Sequence, residues 1–512
     1  MLNPRAISLI VLSLLGSTYA EDYECVGTFI FGRHNDRPAK PTNQQTPLGA
    51  EAQLKNGALF RERYYGLTYD NEPVDSEYKI EKLNDEGFYQ ASQYYGQAPY
   101  SGTIAKSHMA FLQGLFPATD GPLSNELLIQ STESDLDNGT VMEYPLNGYQ
   151  YVMMDFQDPN APNNFIIKGD VNCANSDSAI AAAYKTEEFQ NLNDTTFDFY
   201  QSLRDVLPEE DIATSFLNFG NAMDIFDYMN VNWIHNSTLH DQWNITLLDE
   251  VRLLSNQFQW LISYNETDVT GDISIGGQSI LGGVWTYLNT TKEAQSPLIN
   301  YFTGSFNTMF QLNGLLQLDK LSANFTGMPD YGATYIFDLM QDTSDNYFVQ
   351  FSFKNGTDSW DQFTVYPIFG SEDTMMSWDD FSENIKQYSI LTLSDWCDRC
   401  NAGVEQSSKY PSVCVPYSST YKAAKELQSN GVDLESILSG DYSSLDIQDS
   451  HHSKLSNAAA GGIGAGVTIG TMLVLGALFL VFKRVTRSKK NNVPIATSSE
   501  SASSDSLAEK SV

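Results

Sequence analysis

Val26-Gly27-Thr28-Phe29-Ile30-Phe31-Gly32-Arg33-His34-Asn35-Asp36-Arg37-Pro38 is the stretch on which the fold turns. Val26 to Phe31 is a short apolar run of strand length that stops at Gly32. A histidine between two arginines follows at once. At the C-terminal end of a strand in an α/β sheet this is a natural phosphate position. Arg33 and Arg37 offer forked donors to phosphoryl oxygens, and a neutral imidazole at His34 can attack phosphorus. Phe31 to Pro38 taken alone is equally compatible with a basic surface turn.

Working outward, Leu48 to Tyr65 reads as a helix, with Leu54, Ala58 and Arg61 at helical spacing. Ile212, Phe216, Phe219, Met223, Phe226, Met229 and Trp233 recur in steps of three and four, which predicts one amphipathic helix with a core-facing aromatic stripe. Tyr347, Val349, Phe351 and Phe353 alternate as in a strand, and Asn355-Gly356 signals a hairpin turn. Strands at both ends of the region and helices in the middle predict an α/β fold. Its mixed central sheet is flanked by helices, and an α-helical cap is inserted at about 175–270.

The segments beyond this region concern address. Met1 to Ala20 has the pattern of a secretory signal peptide, with Arg5 before an apolar run and small residues at Thr18-Tyr19-Ala20. Ala458 to Phe482 carries no charge and is long enough to cross a bilayer as one helix. Lys483, Arg484, Arg487, Lys489 and Lys490 follow it, as expected on the cytoplasmic side. The expected organisation is an ectodomain over 21–435, a stalk over 436–457, a transmembrane helix over 458–482 and a cytoplasmic tail over 483–512. That is a single-pass type I protein of the cell surface or a secretory or vacuolar membrane. Asn138, Asn193, Asn236, Asn244, Asn265, Asn289, Asn324 and Asn355 begin Asn-x-Ser/Thr sequons, all ahead of the apolar segment.

Cys25, Cys173, Cys397, Cys400 and Cys414 also lie on the lumenal side, where disulfides persist. Five is odd, so one thiol is free or pairs between chains. Cys397 and Cys400 form a CxxC, but with no second pair to complete a zinc site, disulfides are preferred to metal or redox chemistry. The chain has 64 acidic and 29 basic residues, a net charge of −35. Such a surface repels phosphate backbones and argues against nucleic acid as a partner.

The signature segment resembles the RHGxRxP motif of the histidine acid phosphatases, the group that includes the phytases. Further stretches are similar to the same family. They are Thr46-Pro47-Leu48-Gly49, Gln53, Gly57, Phe60-Arg61-Glu62-Arg63-Tyr64, and the block from Ser107 to Pro117. Pro145 to Tyr151, Asp395-Trp396-Cys397 and Cys400 resemble a fungal branch. The resemblance implies two-step phosphomonoester hydrolysis with no metal or organic cofactor, on a phosphorylated small molecule. His34 would be the nucleophile that becomes phosphohistidine, with Arg33 and Arg37 holding the phosphoryl group. It also implies a further phosphate-binding arginine before the second block and a late His-Asp dipeptide whose Asp protonates the leaving group.

Here the chain departs from the pattern. Asn35 stands where the motif has glycine, and Thr103, with Lys106 nearby, stands at the place of the further arginine. The His-Asp positions read Phe306 and Asn307, and an amide supplies no proton. The one literal His-Asp pair is His240-Asp241, inside the inserted region; Asp36 and Glu372-Asp373 are other possible donors. Three readings follow: an acid phosphatase with a weakened or relocated acid, a phosphate-binding pseudophosphatase, and a structural cell-surface glycoprotein. The retained arginines argue against the third.

Overall fold

In the computed structural model, the described residues are 23–118, 136–140, 145–357, 363–401 and 411–418, with 421, 422, 425, 428 and 429 beyond them. The signal-peptide, stalk, transmembrane and tail assignments lie outside the described residues. No helix among those described is long and apolar enough to cross a membrane.

An eight-stranded mixed sheet forms the centre, in the order β3-β2-β4-β1-β5-β6-β7, with β8 on β6. Strand β1 runs Tyr23–Arg33, longer than the apolar run suggested. Strands β2 (Tyr94–Pro99), β3 (Asp155–Gln157) and β4 (Ile299–Gly304) make the parallel half with it. β5 (Thr334–Asp342), β6 (Tyr347–Lys354), β7 (Phe363–Val365) and β8 (Met375–Ser377) add the antiparallel half. β1 is covered on both faces, which is why it reads as an unbroken apolar run rather than an alternation. Phe29 and Phe31 enter one core cluster with Phe302 and Phe337, while Ile30 enters the other with Phe60, Tyr64 and Phe111. Each such side chain stabilises the fold by roughly 1.5–3 kcal/mol.

The Phe60 side is closed by helices α1 (Pro47–Tyr65) and α2 (Ile104–Leu115). They cross at glycine: a Cβ on Gly57 would collide with the Phe111 carbonyl, and one on Gly114 with the Leu54 carbonyl. Arg61 and Arg63, in the stretch similar to the phosphatases, are anchors of this layer. Arg61 donates to the carbonyls of Gly87 and Leu115 at 2.6 and 3.0 Å, and Arg63 pairs with buried Asp338 at 2.7 Å.

Between β3 and β4 the chain is helical. Short α3 (Asn164–Ile167) precedes α4 (Ala174–Ala183), α5 (Glu187–Thr195) and α6 (Phe197–Ser202). Then come α7 (Ala222–His235), α8 (Ser237–Gln242), α9 (Ile245–Leu261) and α10 (Ile275–Ala294). Helices α4 to α9 bury their own apolar cluster around Phe219, Phe226, Met229 and Phe258. The single helix expected from Ile212 is broken. Thr214–Phe216 and Phe219–Asn221 are 3₁₀ turns, and the α-helix begins only at Ala222. Asn218, Gly220 and Asn221 lie in the break; Asn side chains compete for backbone partners, and Asn221 donates to the Phe216 carbonyl at 2.8 Å. Ile212, Phe219, Met223, Phe226 and Met229 of the stripe are nevertheless buried, with Phe216 and Trp233 half-buried beside them, because turns of near-helical pitch keep the spacing. The expected hairpin turn at Asn355-Gly356 also differs. β6 and β7 pair Lys354 with Phe363, so eight residues join them. After β4 come α11 (Phe306–Leu315) and, past the sheet, α12 (Trp378–Gln387) and α13 (Leu393–Cys400). The cysteines of the CxxC part company: Cys400 bonds Cys173, Cys397 bonds Cys414, and buried Cys25 is free. None of the eight sequon asparagines is buried; Asn138, Asn244, Asn265, Asn324 and Asn355 are exposed.

Candidate active site

Register brings the motifs together. Arg33 at the end of β1 lies opposite Gly304 at the end of β4, and the His34 amide donates to the Gly304 carbonyl at 3.1 Å. The signature loop and the start of α11 therefore share one site at the carboxyl ends of two adjacent parallel strands.

His34 is 6% exposed. Its Nδ1 lies 2.9 Å from the Asn35 carbonyl oxygen, so Nδ1 carries the proton and Nε2 keeps its lone pair. Burial, then the charges of Arg33 and Arg37, hold its pKa well below the usual histidine range. The shift favours the neutral imidazole, with the Nε2 lone pair free. Arg33 lies over the Tyr331 ring at 4.4 Å and beside the Phe306 ring at 5.1 Å, and donates to the Pro329 carbonyl. Its Nε has no partner, and burial lowers its pKa to about 10. A guanidinium packed on rings without a carboxylate is suited to an oxyanion.

Arg37 is different. It donates to Asp227 of α7 at 2.6 Å. Burial alone would lower its pKa, but Asp227 outweighs that and raises it. The next acid of the loop is also taken: Asp36 accepts from the Thr46 hydroxyl, which caps α1, and lies 2.8 Å from His235 Nε2 at the end of α7. Lys40 completes the docking of α7 with a 3.3 Å pair to Asp224. Asn35, in place of the motif's glycine, does not adopt a positive φ, so its Cβ brings no backbone strain. Its amide donates to Ser107 at 3.0 Å, and its side-chain oxygen accepts from the Asp36 amide at 2.8 Å.

At the other strand end, Phe306 and Asn307 open α11. Asn307 Nδ2 donates to Asp170 at 2.8 Å, while Ser305 donates to Asn307 Oδ1 at 2.5 Å. Lys168 Nζ donates to Ser305 at 2.7 Å. Thr103 is bonded elsewhere, to Asn43 Oδ1 at 3.0 Å and the Gln44 carbonyl at 3.2 Å, and exposed Lys106 reaches Gln44. The other proton donors considered are not at the site. His240 stacks on Trp233 at 4.0 Å with Asp241 exposed beside it, and Glu372 and Asp373 lie on an exposed turn.

Sequence reasoning missed Lys168, Asp170, Asp227, His235 and Tyr331. The one signal available for Lys168 was a lysine closing the apolar run Phe165-Ile166-Ile167 ahead of Gly169-Asp170. Nothing marks Asp227 or His235 among the many acids and polar residues of the helices.

A family model of the histidine phosphatase superfamily (branch 2) matches residues 36–354, beginning just after His34. No curated protein matches the chain. Among solved structures, a phytase from Klebsiella sp. ASR1 shares 11% identity over 72% of this chain and 97% of its own, with a TM-score of 0.49. A phytase from D. castellii shares 12% over 77% and 87%, with a TM-score of 0.42. A multiple inositol polyphosphate phosphatase from Bifidobacterium longum, in complex with phosphate, shares 12% over 73% and 95%, with a TM-score of 0.33. With a family match across more than half its length, this chain belongs to the histidine phosphatase superfamily, branch 2.

Proposed function

We propose that the protein is a membrane-anchored phosphomonoesterase of the secretory pathway that works through a phosphohistidine at His34. The observation that carries this reading is the state of that imidazole. It is buried, neutral, tied at Nδ1 to the Asn35 carbonyl, and flanked by two arginines. In the first step Nε2 attacks phosphorus and the ester oxygen leaves with a proton. In the second, water attacks the phosphohistidine and releases phosphate. Arg33 and Arg37 carry the phosphoryl charge, which an otherwise acidic protein must supply locally. The helices α4 to α9 act as the cap, with α7 roofing the signature loop. The unburied sequons and the two disulfides support an ectodomain outside the cytosol. Its substrate is a phosphorylated small molecule.

A second reading, a phosphate-binding pseudophosphatase, is favoured by two observations: an amide at the acid's position, and an arginine already paired with Asp227. Purified ectodomain with a nitrophenyl phosphate, followed by acid-labile phosphoenzyme trapping, separates the two. Turnover with a trapped phosphohistidine that is absent in His34→Ala supports the enzyme. Vanadate binding without turnover supports the binding module.

A further inference from the structure

Asn307 leaves a gap in the chemistry, since an alkoxide leaving group needs a proton. We propose that Lys168 is the general acid, its ammonium protonating the leaving oxygen while its charge helps hold the phosphoryl group. This rests on the phosphohistidine reading of His34.

Place argues for it first. Lys168 Nζ is 2.7 Å from Ser305 Oγ, and Ser305 Oγ is 2.5 Å from Asn307 Oδ1. The ammonium therefore stands one hydroxyl away from the position where the family's acid belongs. Ser305 precedes α11 yet caps none of its amides; its hydroxyl is spent on Lys168 and Asn307. The site itself is the second argument. Lys168 is part-buried, and no carboxylate lies within 4.0 Å of it among the described residues. An ammonium removed from water whose counter-charge, Asp170, lies beyond 4.0 Å and is bonded to Asn307 is incompletely compensated, and an incoming phosphate dianion relieves that cost. Its charge is among those that act on the His34 imidazole.

The nearby carboxylates are bonded through one oxygen each: Asp227 to Arg37, Asp36 through Oδ2 to Thr46 and His235, and Asp170 through Oδ2 to the Asn307 amide; the Oδ1 atoms of Asp36 and Asp170 have no partner, which is why Asp170→Asn belongs in the test. Burial lowers the Lys168 pKa, which brings an ammonium closer to the range in which a general acid works. The charged group that acts on it is Asp170, two residues along the same loop, while Arg33 and Arg37 act with it on His34. Ser305 and Asn307 of the packed helix carry no charge.

The step balances. The His34 Nε2 lone pair forms the N–P bond, the P–O bond breaks toward the ester oxygen, and that oxygen takes a proton from Lys168. Neutral Lys168 then accepts a proton from the water that attacks phosphohistidine, and the starting state returns as phosphate leaves.

The test compares alkyl and nitrophenyl phosphate esters in the full chain and in Lys168→Met, Lys168→Arg and Asp170→Asn, with vanadate binding and thermal melting of each. An alkoxide needs the acid and a nitrophenolate does not. Lys168→Met is expected to lose about 10²–10⁴-fold on alkyl esters and less than about tenfold on the aryl ester. Lys168→Arg is expected to keep vanadate binding yet show the same alkyl loss, because a guanidinium does not deprotonate. Wild-type alkyl hydrolysis should fall as pH rises through the Lys168 pKa, a limb missing from Lys168→Met. Unchanged alkyl rates in both lysine variants, or a selective alkyl loss in Asp170→Asn alone, would overturn the proposal and leave His34 standing. Wild type that binds vanadate but turns over neither ester would also overturn it. Loss of neither turnover nor binding in His34→Ala would bring down the phosphohistidine reading with it.

Discussion

The ends of β1 and β4 lie side by side, yet they have diverged in opposite ways. The β1 end keeps the imidazole and both guanidiniums, with the tautomer set by one backbone carbonyl. The β4 end carries a phenyl ring and an amide, Phe306 and Asn307, at the positions the resemblance assigns to the acid. The sheet positions the two segments irrespective of the side chains they carry. Parallel pairing of Arg33 with Gly304 brings the start of α11 beside the signature loop whether residue 307 is an acid or an amide. The vacated chemistry is met by groups from other elements. Phe306 became a wall for Arg33, and Asn307 became a bridge between Ser305 and Asp170.

Breaking the β1 end should have the largest effect. His34→Ala is expected to reduce turnover of aryl and alkyl esters alike by on the order of 10⁴-fold or more, as for loss of a nucleophile. Steady-state rates on both esters check this; an equal loss on both is the signature of the nucleophile and contrasts with the selective loss expected at the β4 end.

The two arginines should separate next. Arg33→Ala is expected to weaken vanadate binding by about 1.5–3 kcal/mol, because its guanidinium has no carboxylate to satisfy it. Arg37→Ala should cost less, since Asp227 already neutralises that charge. Conversely, Asp227→Asn should tighten binding severalfold by releasing Arg37. Titration calorimetry with vanadate reads all three, and an Arg37 effect larger than that of Arg33 would break the distinction.

The β4 end can be sharpened by restoring it. Asn307→Asp places a carboxyl where the amide now lies 2.8 Å from Asp170. Two carboxyls at that distance share a proton, which raises the pKa of one of them. Alkyl ester hydrolysis should rise by about 10–100-fold, within the span of general-acid catalysis, and most at acidic pH. An unchanged ratio of alkyl to aryl rates would show that residue 307 does not face the leaving group.

The smallest effect is on stability. His34 has a folded pKa well below that of the unfolded chain, and buried His108, between Tyr94 and Thr303, is lowered to about 3. The unfolded chain binds more protons at both below about pH 6.5. Their contribution is complete above that value and is lost progressively as pH falls below it. His34→Asn should reduce the acid sensitivity of the melting temperature by a few degrees without altering stability near pH 8.

The strand and helix around the signature were legible because short-range pattern decides them: an apolar run, a Thr-Pro helix start, strict alternation at Tyr347 to Phe353. The signature arginines and histidine were legible because one strand end carries them within five residues. The 212–233 helix was overread, because apolar spacing survives turns of similar pitch and so does not reveal that Asn218 to Asn221 interrupt the backbone. Lys168, Ser305 and Asn307 lie up to 139 residues apart in the chain, and the packing of α3 against β4 and α10 makes them neighbours. Asp227 and His235 meet the signature loop only because α7 folds over it. The sequence by itself determined the nucleophile's surroundings along one segment. Which carboxylates bond arginine, threonine or amide, and which ammonium is left without a salt bridge, was decided by tertiary structure, because such pairings depend on distance in space and not on separation along the chain.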